Sequence, residues 1–307
     1  MTYAVRLEGV TKRFGPHVAV DRLDLAVPEG TVYGFIGPNG SGKTTTLRMI
    51  LRIFYPEEGR ISVLGAERGA AADDRVGYLP EERGLYKKMR VRDLLVYFAR
   101  LKGFRDCRLA VDDWLERFEL GKWAHQRVEA LSKGMSQKVQ FIAAVAARPE
   151  LLILDEPFTG LDPVNMEALK DAVLALHRQG TTVIFSTHDM DIAERMCDTI
   201  FMIFRGKKVL DDTLEAIQAR YGQDTIRVRT SDSGRCFDDL PGVLHVNPYG
   251  RYTELRMQPD ADPQAILKAL VARTRVDHFA VTRPSLHDIF IRIAGAEAPA
   301  SEEAAHE

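Results

Sequence analysis

The sequence predicts an α/β domain built on a largely parallel sheet, followed by a small α+β domain. Three observations carry this expectation. Short apolar runs that suit buried strands, at Thr31 to Ile36, Leu151 to Leu154 and Thr182 to Phe185, are each followed by residues at helical spacing. Alternating strand and helix signals imply parallel strands covered by helices. The composition then changes after Tyr221-Gly222, where strands with alternating polarity take over.

Taken in order, the first part adds a strand at Thr199 to Phe204, with Gly206 marking a turn before Lys207 to Leu210. A helix-rich insertion is expected at about 91–147. Within it, Asp93, Leu94, Leu95, Tyr97, Phe98 and Leu101 have amphipathic spacing, as do Trp114, Leu115 and Phe118. A third helix is expected to start near Ser136 and to end before Pro149. From Asp224 to Ile293 three or four strands and two helices are expected. Thr225 to Arg229 and Tyr252 to Met257 alternate apolar and polar residues, Pro263 suits the first turn of a helix through Ala272, and Ser285 suits the cap of a last helix ending near Gly295. The expected domains are therefore 1–221 and 222–295. The tail 296–307, rich in Ala, Glu and Pro, is expected to be disordered.

The 307 residues are 45% hydrophobic and 28% charged, with a formal net charge of -2, so a sizeable core can form and bulk nucleic-acid binding is not expected. Cys107, Cys197 and Cys236 are isolated, which reads as reduced thiols of a cytosolic protein. The histidines show no metal-ligand spacing. No apolar run approaches the 18 or so residues of a membrane span, and the first ten residues lack the pattern of a signal peptide. A membrane role would therefore need a partner chain.

Gly37-Pro38-Asn39-Gly40-Ser41-Gly42-Lys43-Thr44 fits the phosphate-loop pattern GxxxxGK[ST] and stands between an expected strand and an expected helix. Its glycines let backbone N–H groups curl toward phosphates, and the helix start adds a positive dipole end. Lys43 would pair with the β- and γ-phosphates, and Thr44 would ligate Mg²⁺. Thr45 joins the expected nucleotide contacts. Alone, the run could be a glycine-rich turn; its strand-loop-helix setting argues for nucleotide binding. Leu151 to Leu154 leads into Asp155-Glu156-Pro157, which places two carboxylates at the end of a buried strand, where α/β sheets bind ligands. Asp155 is expected to hold Mg²⁺ and Glu156 to orient and deprotonate the attacking water.

Five further segments fall into register with these two. Leu131-Ser132-Lys133-Gly134-Met135 resembles the LSGGQ signature of ABC ATPases. Thr159-Gly160-Leu161-Asp162-Pro163 resembles the D-loop, Ser186-Thr187-His188-Asp189 the switch-histidine segment, and Gly77-Tyr78-Leu79-Pro80-Glu81 the Q-loop. Val10-Thr11-Lys12-Arg13-Phe14-Gly15 resembles the loop whose aromatic residue stacks on adenine. Taken singly, Phe14 would more often be core packing and His188 a loop histidine; their joint order decides. The resemblance implies a phosphate-loop NTPase fold of the ABC type with a helical subdomain. It implies two ATP molecules sandwiched in a head-to-tail dimer, with Ser132 and Gly134 reaching the γ-phosphate held by the opposite subunit. His188 would sense the γ-phosphate, and Asp162 would link the two sites.

Three residues depart from the pattern: Glu81 stands where the family usually has Gln, and Lys133 and Met135 replace a Gly and a Gln of the signature. YLPEERGLY, LSKGM and the late Pro284-Ser285-Leu286-His287-Asp288-Ile289-Phe290 resemble the ABC-2-type exporter ATPases, which carry a small C-terminal domain. Membrane permease subunits as separate chains, a homodimer or heterodimer, and a place at the cytoplasmic face of the cell membrane are what the resemblance implies. Glu81 is expected near the metal and its water. The competing readings are a soluble ABC ATPase of translation or DNA repair, which would carry paired domains or long coiled coils, and a nucleotide-regulated binding protein with little turnover.

Overall fold

The computed structural model describes residues 2–66, 74–82, 84–221, 224–231, 235–249 and 251–296. The tail expected to be disordered lies, beyond its first residue, outside the described residues. The backbone divides into two compact units, Met1–Thr213 and Leu214–Glu307.

The first unit contains two sheets. Strands β1 (Tyr3–Phe14), β2 (His17–Pro28) and β4 (Glu58–Val63) pair antiparallel in the order β2-β1-β4. The six others are β3 (Val32–Ile36), β5 (Val76–Leu79), β6 (Leu151–Asp155), β7 (Thr182–Thr187), β8 (Thr199–Phe204) and β9 (Lys207–Thr213). They form one sheet in the order β5-β6-β7-β3-β8-β9, parallel except for the β8–β9 pair. Strands β3, β6 and β7 are buried at every position, as expected for central parallel strands covered on both faces.

Side-chain alternation assigns each face of the large sheet its own core. Tyr33, Phe35, Leu151 and Ile153 pack with the antiparallel sheet and with helix α1 (Lys43–Ile50). Val32, Leu152 and Leu154 turn the other way, onto helices α2 (Val91–Leu101), α3 (Arg108–Arg117), α4 (Lys133–Val145) and α5 (Pro163–Arg178). A last helix, α6 (Met190–Met196), follows β7.

Two features of this unit differ from the expectation. The three-stranded antiparallel sheet was not foreseen. Register shifts interrupt β1 four times against β2, so its burial does not alternate cleanly, and it offers no apolar run of the parallel type. Helix α4 starts at Lys133, not near Ser136. Ser132 takes the cap position, its Oγ accepting from the Met135 N–H at 3.3 Å. A serine cap satisfies an otherwise orphaned donor of the first turn, and Gly134 consequently lies inside the helix rather than before it.

The second unit opens with helix α7 (Leu214–Tyr221), eight residues before the expected boundary at 222. Ile217 is fully buried, and Gln218 donates from Nε2 to the Pro284 carbonyl at 3.4 Å. Strands β10 (Thr225–Thr230), β11 (Val243–Tyr249), β12 (Tyr252–Met257) and β13 (Val276–Thr282) form an antiparallel sheet in the order β11-β12-β10-β13. Helices α8 (Pro263–Val271) and α9 (Leu286–Ala296) complete the unit. Ser285 does cap α9: Asp288 N–H donates to its Oγ at 3.1 Å, and the Asp288 carboxylate accepts from the Ser285 N–H at 3.2 Å. This reciprocal pair is a capping box.

Ile226, Val228, Leu255 and Leu270 are the fully buried centre of this second core. Replacing Leu255 with Ala is expected to lower the unit's unfolding free energy by about 2–5 kcal/mol, because a cavity remains where the side chain was. Urea unfolding followed by circular dichroism checks this, and an unchanged midpoint would mean that Leu255 does not hold the core together.

Candidate active site

The site is built where β3, β6 and β7 end. Neighbouring registers bring Ile36 beside Thr187 and Asp155 beside Ser186, so the segments after all three strands leave the sheet at one edge. Ligands of open parallel sheets bind in this position, beyond the carboxyl ends of the strands.

After β3 the chain curls through residues 37–42 into α1. The loop passes so close to its surroundings that a Cβ at Gly37 would lie 2.2 Å from the Ile203 carbonyl oxygen. Gly42, the residue before the helix, has φ of 109°, and a Cβ there would meet the Ala19 carbonyl at 2.6 Å. Neither position accepts a larger residue without a shift of backbone. Asn39 and Gly40 are exposed at the tip, while Ser41 and Lys43 are buried. Lys43 Nζ donates to the carbonyls of Gly37 at 2.7 Å and Pro38 at 3.2 Å and lies 3.8 Å from Glu156 Oε1. Burial lowers the Lys43 pKa from its ordinary value, against the opposing pull of Glu156, Asp155 and Glu81. A phosphate brought to this desolvated ammonium would favour its charged form.

After β6 come two carboxylates in different settings. Asp155 is 1% exposed. Its Oδ1 accepts from Ser186 Oγ at 2.6 Å and from Thr44 Oγ1 at 3.1 Å, while its buried Oδ2 has no partner. Glu156 turns out of the strand with φ of 49°. A non-glycine residue in this left-handed region is strained by about 1–3 kcal/mol, and such strain gathers at functional sites. The Glu156 N–H donates to the same Ser186 Oγ at 3.0 Å. Its carboxylate accepts from Thr159 Oγ1 at 3.1 Å and lies 3.0 and 3.1 Å from His188 Nδ1.

Phe14, Asn39, Gly40, Gly42, Lys43, Thr44, Thr45, Glu81 and Glu156 line one groove of about 350 Å³. Phe14 is 44% exposed at its edge and packs edge-to-face against Phe54 at 5.5 Å, which leaves ring surface for a planar base. A second cavity of about 250 Å³ joins Asp155 and Glu156 to Lys133 and Gly160, and Glu81 lines both cavities. Gly37, Pro38 and Ser41 form the loop behind the groove. Ser132, Gly134 and Asp162 do not line it. They stand together elsewhere: Asp162 caps α5 through the Asn165 N–H at 3.0 Å, which keeps its carboxylate below the usual pKa, and Asn165 Nδ2 would lie 3.1 Å from a Cβ at Gly134.

Ser186, Thr159, Gln137 and Gln140 were given no individual role by the sequence reading, yet Ser186 and Thr159 bond to Asp155 and Glu156 and the two glutamines hold the loops beside them. Gln137 donates from Nε2 to the Pro157 carbonyl at 2.6 Å, and Gln140 to the Glu82 carbonyl at 3.0 Å. One face of α4 therefore ties down both the strand-end loop and the loop that carries Glu81. The i,i+3 spacing of the two glutamines on the signature helix was the available signal. For Ser186 there was none, because its place opposite Asp155 is set by the register of two strands.

A groove that sets a glycine-rich loop and its lysine beside two carboxylates has the shape and charge of a phosphate-loop ATPase site. The family model described as ABC transporter matches residues 20–159, and that of the ATP-binding protein DrrA1-3-like, C-terminal domain, matches 213–294. An ABC transporter ATP-binding protein of Bacillus subtilis, YhaQ, is 44% identical across 94% of this chain and 98% of its own length. The daunorubicin resistance ATP-binding protein DrrA3 of Streptomyces coeruleorubidus is 33% identical, over 95% of this chain and 96% of its own. The Nod factor export ATP-binding protein I of Burkholderia lata is also 33% identical, over 95% and 97%. A solved ATP-binding subunit of an ABC transporter superposes with a TM-score of 0.68 at 28% identity, covering 72% of this chain and 94% of that one. The chain belongs to the ABC transporter ATP-binding proteins, in the branch of ABC-2-type exporter ATPases, and it binds and hydrolyses ATP. The reading as a soluble translation or repair ATPase finds no support in these relatives.

Because one hydroxyl holds the Asp155 carboxylate and the Glu156 backbone N–H, Ser186→Ala is expected to slow hydrolysis by about 10- to 100-fold, as the loss of about 1–3 kcal/mol of hydrogen bonding at a buried charge implies. Nucleotide affinity should hold, since Lys43 and the loop are untouched. ATPase assays beside a fluorescent-nucleotide titration check both halves.

Proposed function

We propose that this protein is the motor of an exporter, coupling ATP-driven closure of a dimer to transport through separate membrane permease subunits. The observation that carries the reading is the convergence on Glu156: Lys43, Thr159 and His188 hold its carboxylate at the mouth of the phosphate loop. The named export relatives support the coupling to transport. Among the described residues no helix is long and apolar enough to cross a membrane; the likeness to exporter ATP-binding subunits supports assigning the pathway to partner chains and the motor to the membrane's cytoplasmic face.

Mg²⁺ suits the residues present. Among the described residues no three carboxylate, histidine or cysteine side chains gather to cage a metal by themselves. Asp155 instead offers one unpartnered, buried oxygen beside the Thr44 hydroxyl. Magnesium is commonly held by one or two protein groups together with substrate phosphates. When bound, it would neutralise charge on the β- and γ-phosphates. Lys43 and the loop N–H groups bind the phosphates, and Phe14 stacks on the base. Glu156 orients the attacking water and takes its proton at the carboxylate. His188 Nδ1 fixes that carboxylate and reads the presence of the γ-phosphate. Ser132 and Gly134, at the start of α4, offer free N–H groups to the γ-phosphate of a second subunit. Asp162 links the two sites.

Glu156→Gln is expected to bind ATP normally and to hydrolyse it about 10²- to 10⁴-fold more slowly, the usual contribution of a general base. With ATP and Mg²⁺ it should accumulate as a dimer in size-exclusion chromatography; a monomer under those conditions would sink the composite site. In the wild-type protein the rate per molecule should rise with protein concentration. Glu81→Gln should shift the Mg²⁺ concentration for half-maximal activity. The same metal dependence in both proteins would remove Glu81 from the metal site.

A further inference from the structure

The second unit contains a cavity of about 440 Å³, walled by β10, β11, β12 and α9. That volume lies in the range of small-molecule pockets. Its lining is of two kinds. Leu244 and Ile291 present aliphatic surface and are 53% and 43% exposed. Glu254 and Asp288 are only 5% and 8% exposed, and they hydrogen-bond to each other. Two carboxyl groups can hydrogen-bond only by sharing a proton.

Capping of α9 accounts for Asp288 but not for Glu254, which sits within β12 with Arg227 Nη2 at 2.6 Å from its Oε1. Three guanidinium groups, Arg227, Arg256 and Arg292, face three carboxyls, Asp224, Glu254 and Asp288. Arg292 is engaged by Asp224 through two bonds, at 2.8 and 3.1 Å, and Arg256 Nε lies 3.7 Å from Asp224. The shared proton lies between two buried carboxyls that both line the cavity. An ammonium group exchanged for that proton would leave the charge of the array unchanged. Among the described residues no set of three metal-ligating side chains gathers there, whereas an ammonium needs only a pair of acceptors. An anionic ligand could meet Arg256 and His245 at the rim, but would carry its charge toward the same two carboxyls.

We propose that this cavity binds a small amphipathic amine, its ammonium between Glu254 and Asp288 and its hydrocarbon part against Leu244 and Ile291. Burial foremost, then the bond to Asp288, pushes the Glu254 pKa up to about 7, while Arg227 opposes the shift. Below that value the proton competes with the amine; above it the carboxylate is free. Affinity for an amine should therefore be about tenfold weaker at pH 6 than at pH 8. His245 on β11, Arg256 on β12 and Arg292 on α9 face the cavity too. The arginines keep their charge throughout and leave the trend alone.

The experiment is a titration of the full chain with hexylammonium, and with hexanoate and hexanol as length-matched controls, by calorimetry at both pH values. Saturable binding of hexylammonium in the millimolar range, stronger at the higher pH and well above that of both controls, is the expected result. Glu254→Gln should weaken it at least tenfold and abolish its pH dependence. Ile291→Trp, at a half-exposed position that tolerates a large side chain, should weaken it by filling the cavity and stands as the test should the first variant fail to fold. No saturable binding of hexylammonium, tighter binding of hexanoate, or hexylammonium affinity unchanged in the folded variants would each overturn the proposal.

Discussion

Much of this site depends on one hydroxyl group. Ser186 Oγ donates to Asp155 and accepts from the Glu156 backbone, so a single side chain on β7 fixes the end of β6. The first bond leaves Asp155 with one oxygen toward Thr44 and another without a protein partner. The second holds the turn at which Glu156 enters the left-handed region. Without that turn Glu156 would continue the alternation of the strand and point into a core face. A strained residue persists only where its surroundings over-determine it, and here they do so through Ser186, Thr159 and His188.

The constraint is transmitted by the order of the strands. β7 lies between β6 and β3, so the residue that shapes the acidic pair stands on the strand next to the one that leads into the phosphate loop. Lys43 reaches across this arrangement to within 3.8 Å of Glu156. A change in the position of either carboxylate is therefore felt at the ammonium. On the other side, α4 grips the Pro157 and Glu82 carbonyls with successive glutamines. Movement of that helix would move both loops at once. This gives the helical subdomain a mechanical connection to the chemistry that does not pass through the nucleotide.

The parts of the site that could be read from the sequence are those in which one short segment contains both the chemistry and its backbone geometry. Gly37 to Thr44 is such a segment, because its glycines and its lysine belong to one loop. Asp155 and Glu156 are another, marked by the apolar strand before them. Residues that act across the sheet escaped. Ser186 matters only through its register with Asp155, and register is not visible in a single strand. The antiparallel sheet of β1, β2 and β4 escaped for a related reason, since bulges break the alternation that would announce it. The start of α4 was misplaced because Lys133, Gly134 and Met135 give a weak helix signal, whereas the serine before them is an effective cap.

The second unit shows the same limit in a different form. Its strands and helices were legible from alternation and from Pro263 and Ser285, yet its buried carboxyl pair was not. Glu254 and Leu255 are consecutive in β12 and both are buried. Strict alternation assigns one of them to solvent, and a reader naturally sends the glutamate there. It stays inside because Arg227 comes from β10 and Asp288 from α9, two elements distant in the sequence. A buried acid held by partners on separate elements costs folding energy unless each partner is present. Such an arrangement is a poor way to fill a core that Ile226, Val228 and Leu270 already close. It is a serviceable way to keep two acceptors dry beside an open cavity, where a cation that can replace the shared proton gains interactions that water would otherwise weaken.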